Sequence, residues 1–393
     1  MNKKVGIERC ASYDPQEVYA ALKRVVELSG DLDVDGKTVL LKPNILFDSP
    51  PETACCTHPV FLEAAIKLVR EMGAKRILAG DSPGIQKPGF SAKLSGLRDV
   101  IDKNDVEWVD FTAKKIDVFC PEGKEAKKFT LTHIVNEVDM IISIPKLKTH
   151  QLMNFTGAMK NIFGLVPSLA KSTFHVRFPS SQAFASMIVD LNLAVKPAYA
   201  FMDAVIGMEG HGPGSGTLRH VGLVLASSNL LALDIAATAI IGYPPAKTPI
   251  NKEALARGFW LSDPGEIEYP ALSPAEVYIP DFEKIPLRGT PSQLIDFILP
   301  RFLKKLRDSF ASVPVINQDT CVRCGDCLRI CASSAISSSG GGKEQNESPS
   351  GAKTDRPLRM DIDYSRCILC FCCHEICSVK AVDIAKRRSR VVH

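Results

Sequence analysis

Two stretches near the C-terminus carry the densest chemistry in the chain. VINQDTCVRCGDCLRICASSAI (315–336) and DIDYSRCILCFCCHEICSVKAV (361–382) align without gaps. Each contains C-x2-C-x2-C-x3-C: Cys321, Cys324, Cys327 and Cys331 in the first, Cys367, Cys370, Cys373 and Cys377 in the second. A cluster iron takes a thiolate, and a [4Fe–4S] cube needs four. Where two such runs share a chain, the fourth cysteine of each serves the other cube. The spacing predicts one cluster on Cys321, Cys324, Cys327 and Cys377 and a second on Cys367, Cys370, Cys373 and Cys331. Zinc knuckles are built from C-x2-C pairs, and zinc does not need four cysteines at this spacing twice over. Cys372 is surplus to the register and is left without an iron.

The second concentration is IISIPKLKTH (141–150), where an apolar run ends at Pro145 and then delivers Lys146, Lys148 and His150. Other apolar runs end in the same way. KTVLLKPN ends in Lys42 and Asn44, RILAGDSP in Asp81 and Ser82, and AYAFMDAVIG carries Asp203 into GMEGHGPGSG with Glu209 and His211. FTGAMKNIFG adds Lys160 and Asn161. Ligands of open α/β sheets bind outside the carboxyl ends of the strands. If these strands are parallel, their exits share one rim. Lys42, Asn44, Asp81, Lys146, Lys148, Lys160 and Asn161 then form an anion site, helped by glycine-rich backbone and helix starts. His150 is the candidate general acid, because an unperturbed imidazole titrates near neutrality. Asp203 and Glu209 are candidate acid–base groups or metal ligands. Taken singly, each feature has a plainer reading as a turn, a cap or a structural histidine, His175 included; their shared location favours a site.

The elements that must position these residues alternate. KKVGIERC reads as a strand and QEVYAALKRVVELSG as a helix, capped by Asp14 with Pro15 at its first position. A strand at KTVLLKPN, a helix at THPVFLEAAIKLVREMG capped by Thr57, and a strand at RILAGDSP follow. FSAKLSGLRDVIDKN reads as helix and EWVDF as strand, while 113–138 is too mixed to place. VDMIISIPK is a strand, and FTGAMKNIFGLV and SQAFASMIVDLNLAV are helical. Two further strands, AYAFMDAVIG and HVGLVLASS, precede a helix at LLALDIAATAIIG. Continuously apolar strands fit burial on both faces. The fold class is α/β, an open, mostly parallel sheet covered by helices, followed by a small α+β domain. The domain reading is 1–290, a linker helix at 291–312, and 313–393 with a flexible insert at 337–357.

The chain has 393 residues, 45% hydrophobic and 23% charged, as a soluble globular protein does. A net charge of +4 is too mild to imply nucleic acid. No apolar run has the length to span a bilayer. MNKKVGIERC has no secretory leader, so a cytoplasmic location is expected. In that setting, nine of 13 cysteines packed between Cys321 and Cys377 argue for metal rather than disulfides. Cys10, Cys55, Cys56 and Cys120 read as small buried hydrophobes.

The segment 313–386 resembles a bacterial-type two-cluster ferredoxin domain. It departs from that pattern at Ala332 and Ser378, where proline usually follows the last cysteine, and in its insert. KPN (42–44), THP (57–59), GDS (80–82), PKLKTH (145–150), TGAMKN (156–161) and the 203–216 stretch resemble the family called domain of unknown function 362. That resemblance covers about 1–290 and implies an iron–sulfur protein with a redox role and no settled substrate. Two functional readings follow. In the first, an oxidoreductase passes single electrons from two [4Fe–4S] clusters to an anionic substrate or cofactor at the rim, supplied by a redox protein. No flavin fingerprint is visible, although the lysines have the charge for a flavin phosphate. In the second, the chain is an electron-transfer subunit, or a maturation factor, that docks to a protein partner through its insert and its KRRSR tail (386–390).

Overall fold

Unbroken apolar runs need cover on both sides, and the fold supplies it. The computed structural model describes residues 2–85, 90, 92–287, 312–339 and 358–386. The chain divides into two compact units, Met1–Arg288 and Gly289–His393. The expected linker helix and the KRRSR tail beyond Lys386 lie outside the described residues, as does the insert from 340 on.

In the first unit the strands are β1 (Gly6–Arg9), β2 (Thr38–Pro43), β3 (Arg76–Ala79), β4 (Glu107–Trp108), β5 (Lys115–Phe119) and β6 (Lys128–Thr132). They continue with β7 (Met140–Ile144), β8 (Lys146–His150), β9 (Asn154–Thr156), β10 (Tyr199–Glu209) and β11 (Thr217–Ser227). The helices are α1 (Pro15–Ser29), α2 (Pro59–Glu71), α3 (Leu97–Lys103), α4 (Ala158–Asn161), α5 (Ala170–Arg177), α6 (Ser181–Val195), α7 (Leu230–Ile240) and α8 (Pro249–Arg257). The central sheet runs in the order β1-β11-β10-β7-β2-β3-β4, with β8 on β10 and β9 on β8. β10, β7, β2, β3 and β4 are parallel, while β11 and β1 close one edge antiparallel.

Successive side chains on a strand point to opposite faces. Val39, Leu41, Ile142, Ile144 and Phe201 accordingly pack with α1, α2 and α3. Their neighbours Leu40, Ile141, Ala200 and Met202 pack with α4, α6, α7 and α8. Each such aliphatic or aromatic side chain stabilises the fold by roughly 1.5–3 kcal/mol when fully buried. Asp14 caps α1 through Gln16 and Glu17, with Pro15 at its first position.

Several elements differ from the sequence reading. The helix expected across FSAKLSGLRDVIDKN is confined to Leu97–Lys103. Residues 113–138 contain the β5–β6 hairpin. α2 is capped by His58, not Thr57. The Thr57 hydroxyl instead donates to the Ile144 carbonyl (2.7 Å) and accepts from the Asn44 N–H (2.8 Å), tying the helix start to β2 and β7. PKLKTH is not a solvent-facing exit, because Lys146–His150 form the fully buried strand β8. β10 runs on to Glu209, so the expected glycine-rich loop begins three residues later than read.

In the second unit β12 (Ser312–Ile316) pairs antiparallel with β15 (Val382–Lys386), and β13 (Ile336–Ser339) with β14 (Arg359–Ile362). Two short helices, α9 (Asp326–Ile330) and α10 (Cys372–Ile376), follow the first cysteines of each run. The flexible insert expected from 337 starts later, because Ser337–Ser339 belong to β13, opposite Arg359–Asp361.

Candidate functional site

Pro145 sets the geometry of the first unit's site. β7 pairs with β2 on one side and β10 on the other. Past Pro145 the chain stays with β10 but leaves β2 and takes β9 as its neighbour. The sheet splits there, and basic side chains gather along the seam. Lys42, Lys146 and Lys148 are each at most 2% exposed. Lys160 lies close enough to depress the ionisation of Lys42, Lys148, Lys171 and His175.

Two carboxylates stand among these cations. Asp81 pairs with Lys42 at 2.8 Å and also accepts from the Ile45 and Ser82 N–H groups. Asp203 pairs with Lys146 at 2.9 Å and accepts from Tyr13 Oη (2.8 Å) and the His58 N–H (2.9 Å). Lys146 donates to the same Tyr13 hydroxyl, and the Tyr13 ring stacks on His58 with centroids 3.5 Å apart. Burial pulls the Lys42 and Lys146 ammonium groups below their ordinary range, and the paired carboxylates oppose it. Burial and the adjacent Asp203 raise the Tyr13 phenol, while burial lowers His58 to about 4. Gly164 is required here: a Cβ would come within 2.2 Å of Asp81 and 2.4 Å of the Lys42 nitrogen.

An ammonium has three donors. Lys42 spends all of them inside the protein, on Asp81, Asn161 (3.1 Å) and the Pro43 carbonyl (3.0 Å). Lys146 spends two, on Tyr13 and Asp203. Lys148 spends one, on the Cys55 carbonyl at 2.9 Å, and Lys171 one, on the Ser82 carbonyl. Among the described residues no carboxylate lies within 4 Å of Lys148 or Lys171. Burial lowers Lys148 to about 8 and Lys171 to about 7. A buried donor left unmade costs about 1–3 kcal/mol, so the spare donors of the buried Lys148 call for an acceptor, whereas Lys171 is only half-buried.

The structure gathers Lys42, Asp81 and Asn161 in one network and Lys146 and Asp203 in another. Asn161 is fully engaged: its amide nitrogen donates to the Lys42 carbonyl (3.0 Å) and Ser143 (3.1 Å). Asn44 Oδ1 is buried without a partner among the described residues. His150 Nδ1 and Glu209 are held by groups outside these two networks. His150 Nδ1 accepts from the Leu152 (3.1 Å) and Met153 (3.3 Å) N–H groups, which fixes its proton on Nε2. Glu209 accepts from the Glu283 N–H (2.9 Å) and faces Arg219 at 4.0 Å. The helix starts expected to aid an anion are occupied. Asp234 accepts from Ala158 (2.6 Å) and Met159 (3.0 Å) at the head of α4, and His58 from Val60 (3.3 Å) at α2. The glycine-rich backbone is packed as well, with Gly212 against Thr149 and Gly216 against Glu209. Sequence reasoning missed Tyr13, His58 and Lys171; only His58 had a signal, in the THP stretch.

In the second unit the duplication extends to the backbone. Arg323 and Leu369, Gly325 and Phe371, and Ser334 and Lys380 occupy matched positions 46 residues apart, and all six are left-handed. For a side chain as bulky as Phe371 that conformation costs roughly 1–2 kcal/mol. The Ala335 N–H donates to Cys331 Sγ (3.2 Å) and its counterpart Ala381 to Cys377 Sγ (3.1 Å). Cys321, Cys324, Cys327 and Cys377 line one hollow, with Val322, Met360 and Val379. Burial and these three neighbouring thiols raise Cys327 to about 11. Cys373 is raised by burial and by Cys370, Cys367, Cys327 and Cys331. Among the described residues no three His, Cys, Asp or Glu side chains are placed to hold a single metal ion. Thiols that each serve a different iron of a cube stand further apart than ligands of one ion.

The fold and sites define an α/β protein with a buried lysine seam and a separate cysteine-rich unit. Residues 39–239 match the family described as domain of unknown function (DUF362), and the chain belongs to that family. It is 31% identical over 308 residues to a thylakoid-associated protein from Synechocystis sp., covering 77% of this chain and 93% of the relative. Its fold is similar to that of a lactate racemase apoprotein from Thermoanaerobacterium thermosaccharolyticum (TM-score 0.41, 12% identity, 60% of this chain and 58% of that one). A second similar structure is a Thermotoga maritima protein (TM-score 0.34, 15% identity, 54% of this chain and 56% of that one). Both structural matches span under two thirds of either chain. No helix among the described residues is long and apolar enough to cross a membrane.

Proposed function

We propose that this protein is an iron–sulfur oxidoreductase. Its second unit holds two [4Fe–4S] clusters, and its first unit binds the anionic substrate or cofactor that receives their electrons. The observation that carries this reading is the interleaving of the cysteine runs. Cys377 shares a hollow with Cys321, Cys324 and Cys327, and Cys331 lies near Cys373. The donor set fits cubes: four thiols to each group, and a backbone N–H aimed at the fourth sulfur of each run, the kind of contact that tunes cluster potential. When bound, such clusters supply one electron each. Lys146, Lys148 and Lys171 hold the anion, with Lys160 adding positive potential, while Lys42, Asp81 and Asn161 brace the strands that present them. Tyr13, which donates to Asp203 and accepts from Lys146, positions these two groups, and burial and Asp203 hold its phenol too high for it to serve as the acid.

Anaerobic purification followed by iron, sulfide and zinc analysis tests the cluster reading. About eight irons per chain are expected; stoichiometric zinc, or iron below about four, would discard it. The second reading is an electron-transfer subunit or maturation factor docking to a redox protein. It is favoured by the internal pairing of Lys42 and Lys146, which leaves each of them with at most one donor for a ligand. In that case clusters are present, and Lys148→Met leaves every small-molecule binding assay unchanged.

A further inference from the structure

We propose that the group of Cys321, Cys324, Cys327 and Cys377 is the electron port of this chain, and that the protein docking there is an acidic one-electron carrier. This rests on the cluster reading above and names the face and the charge of the redox partner. The two cysteine runs match 46 residues apart, so their surroundings compare position by position. Val322 is 62% exposed, whereas its counterpart Ile368 is half-buried. Leu328 is 38% exposed, whereas His374 in its place is 2% exposed. Cys324 is exposed and Cys370 half-buried; Cys327 is half-buried and Cys373 buried. The place of Gly325 in the first run is taken by the buried Phe371 in the second. At each of these positions the first run is the more open. An electron crosses between proteins where their centres come close, and the open group is the one a partner can approach.

The rim of that group has a repeated composition. Val322 and Val379 line the hollow that the four cysteines share, and Leu328 follows Cys327 on α9. Each of these exposed apolar residues is followed at once by an exposed cation: Arg323, Lys380 and Arg329. The matched pairs of the other run and its flank are Ile368-Leu369, Ser333-Ser334 and His374-Glu375, with no lysine or arginine among them. Arg329 pairs with Asp326. Arg323 donates to the carbonyls of Cys321 (2.8 Å), Leu358 (2.6 Å) and Gln318 (3.3 Å), which leave its charge uncancelled. Electron-transfer encounters are small interfaces, with apolar contact at the centre and rim charge that steers the approach. A rim of this sign is matched by an acidic partner. One electron leaves the reduced carrier, is taken up at this face and moves on to the second cysteine group, so no further reductant is required.

The test uses the whole chain, purified anaerobically with its iron counted, and two probes of opposite charge: an acidic plant-type [2Fe–2S] ferredoxin and the basic cytochrome c. Binding is read by isothermal calorimetry in low and high salt. The ferredoxin is expected to bind in low salt and to weaken about tenfold in high salt, while cytochrome c does not bind. Lys380→Glu, Arg323→Gln and Val322→Asp should each weaken the ferredoxin complex about fivefold or more. Arg366→Glu, at an exposed position beside the second run, should leave it unchanged. Iron content and the electron paramagnetic resonance signals of each variant separate a lost contact from a lost cluster. The comparison of the two probes on the wild-type chain stands even if a variant fails to fold. Equal binding of both probes, or Arg366→Glu matching Lys380→Glu, overturns the port. A dimer of this chain that Val322→Asp dissolves assigns the face to a second copy and overturns it as well. Iron present with no ferredoxin bound discards the port and leaves the cluster reading standing; absence of iron discards both.

Discussion

The two units build their sites in opposite ways. In the second, eight cysteines fall within two runs that repeat 46 residues apart, and the backbone repeats with them, down to matched left-handed residues and matched N–H donors to sulfur. In the first, the site is a seam to which β2, β8, β10, α4 and α5 each contribute one or two side chains. Spacing alone specifies the former. The latter exists only once the sheet is assembled, because past Pro145 the chain keeps β10 but leaves β2 for β9. The contrast teaches that the grouping of donors is readable where they are sequence-local, while a dispersed site reveals its parts but not which of them are already satisfied.

The largest expected effect separates the halves of the second unit. Cys331→Ser should remove about four irons, and the electron paramagnetic resonance signal that disappears should be the one lost in Cys370→Ser, not the one lost in Cys324→Ser. Matching Cys324→Ser instead would mean that each run serves its own cluster. Next comes the seam's scaffold. Asp203→Asn strands Lys146, and Lys42→Met strands Asp81, each costing about 3–5 kcal/mol in chemical denaturation, the range for breaking one side of a buried pair. Gly164→Ala, which pushes a methyl into the Lys42–Asp81 pair, should cost about 1–3 kcal/mol. At the small end, Lys128→Ala removes an exposed pair with Asp117 and should shift stability by less than about 1 kcal/mol.

A pH series sharpens the comparison from another side. Lys148, surrounded by Cys55, Cys56, Lys146 and Lys160, sits at about 8. Lys171, beside Asp81, Lys42 and Lys160, sits at about 7. Both are depressed from 10.5, so the folded chain releases these protons before the unfolded chain does. Stability of the ligand-free protein should therefore rise as pH climbs from about 7 toward 10. Affinity for an anion held by these amines should fall over the same window. Affinity that holds constant from pH 7 to 9 would remove these lysines from the site.

Much of the first unit was legible. The strands and the long helices follow from unbroken apolar runs and from Asp14-Pro15, because burial on two faces leaves a strong pattern. What failed has identifiable causes. Residues 113–138 alternate weakly, since β5 is exposed along most of its length and its outward side chains need no pattern. α5 carries Lys171 but lacks a marked apolar face, so nothing flagged it. Lys42 looked like a ligand-holding residue because sequence cannot show that Asp81, Asn161 and Pro43 exhaust its donors. His150 looked available for the same reason: the two N–H groups that claim its Nδ1 lie just downstream, yet their direction is a property of the turn.

The hydrogen bond from Tyr13 to Asp203 joins residues 190 positions apart. Contacts that distant form only after the intervening loops have closed, and such closure slows folding. The seam's charges must then remain hydrated until the sheet is nearly complete. Closing the Tyr13–Asp203–Lys146 network therefore carries the entropic cost of a loop of that length, which the short-range hydrogen bonds of the cysteine-rich unit do not.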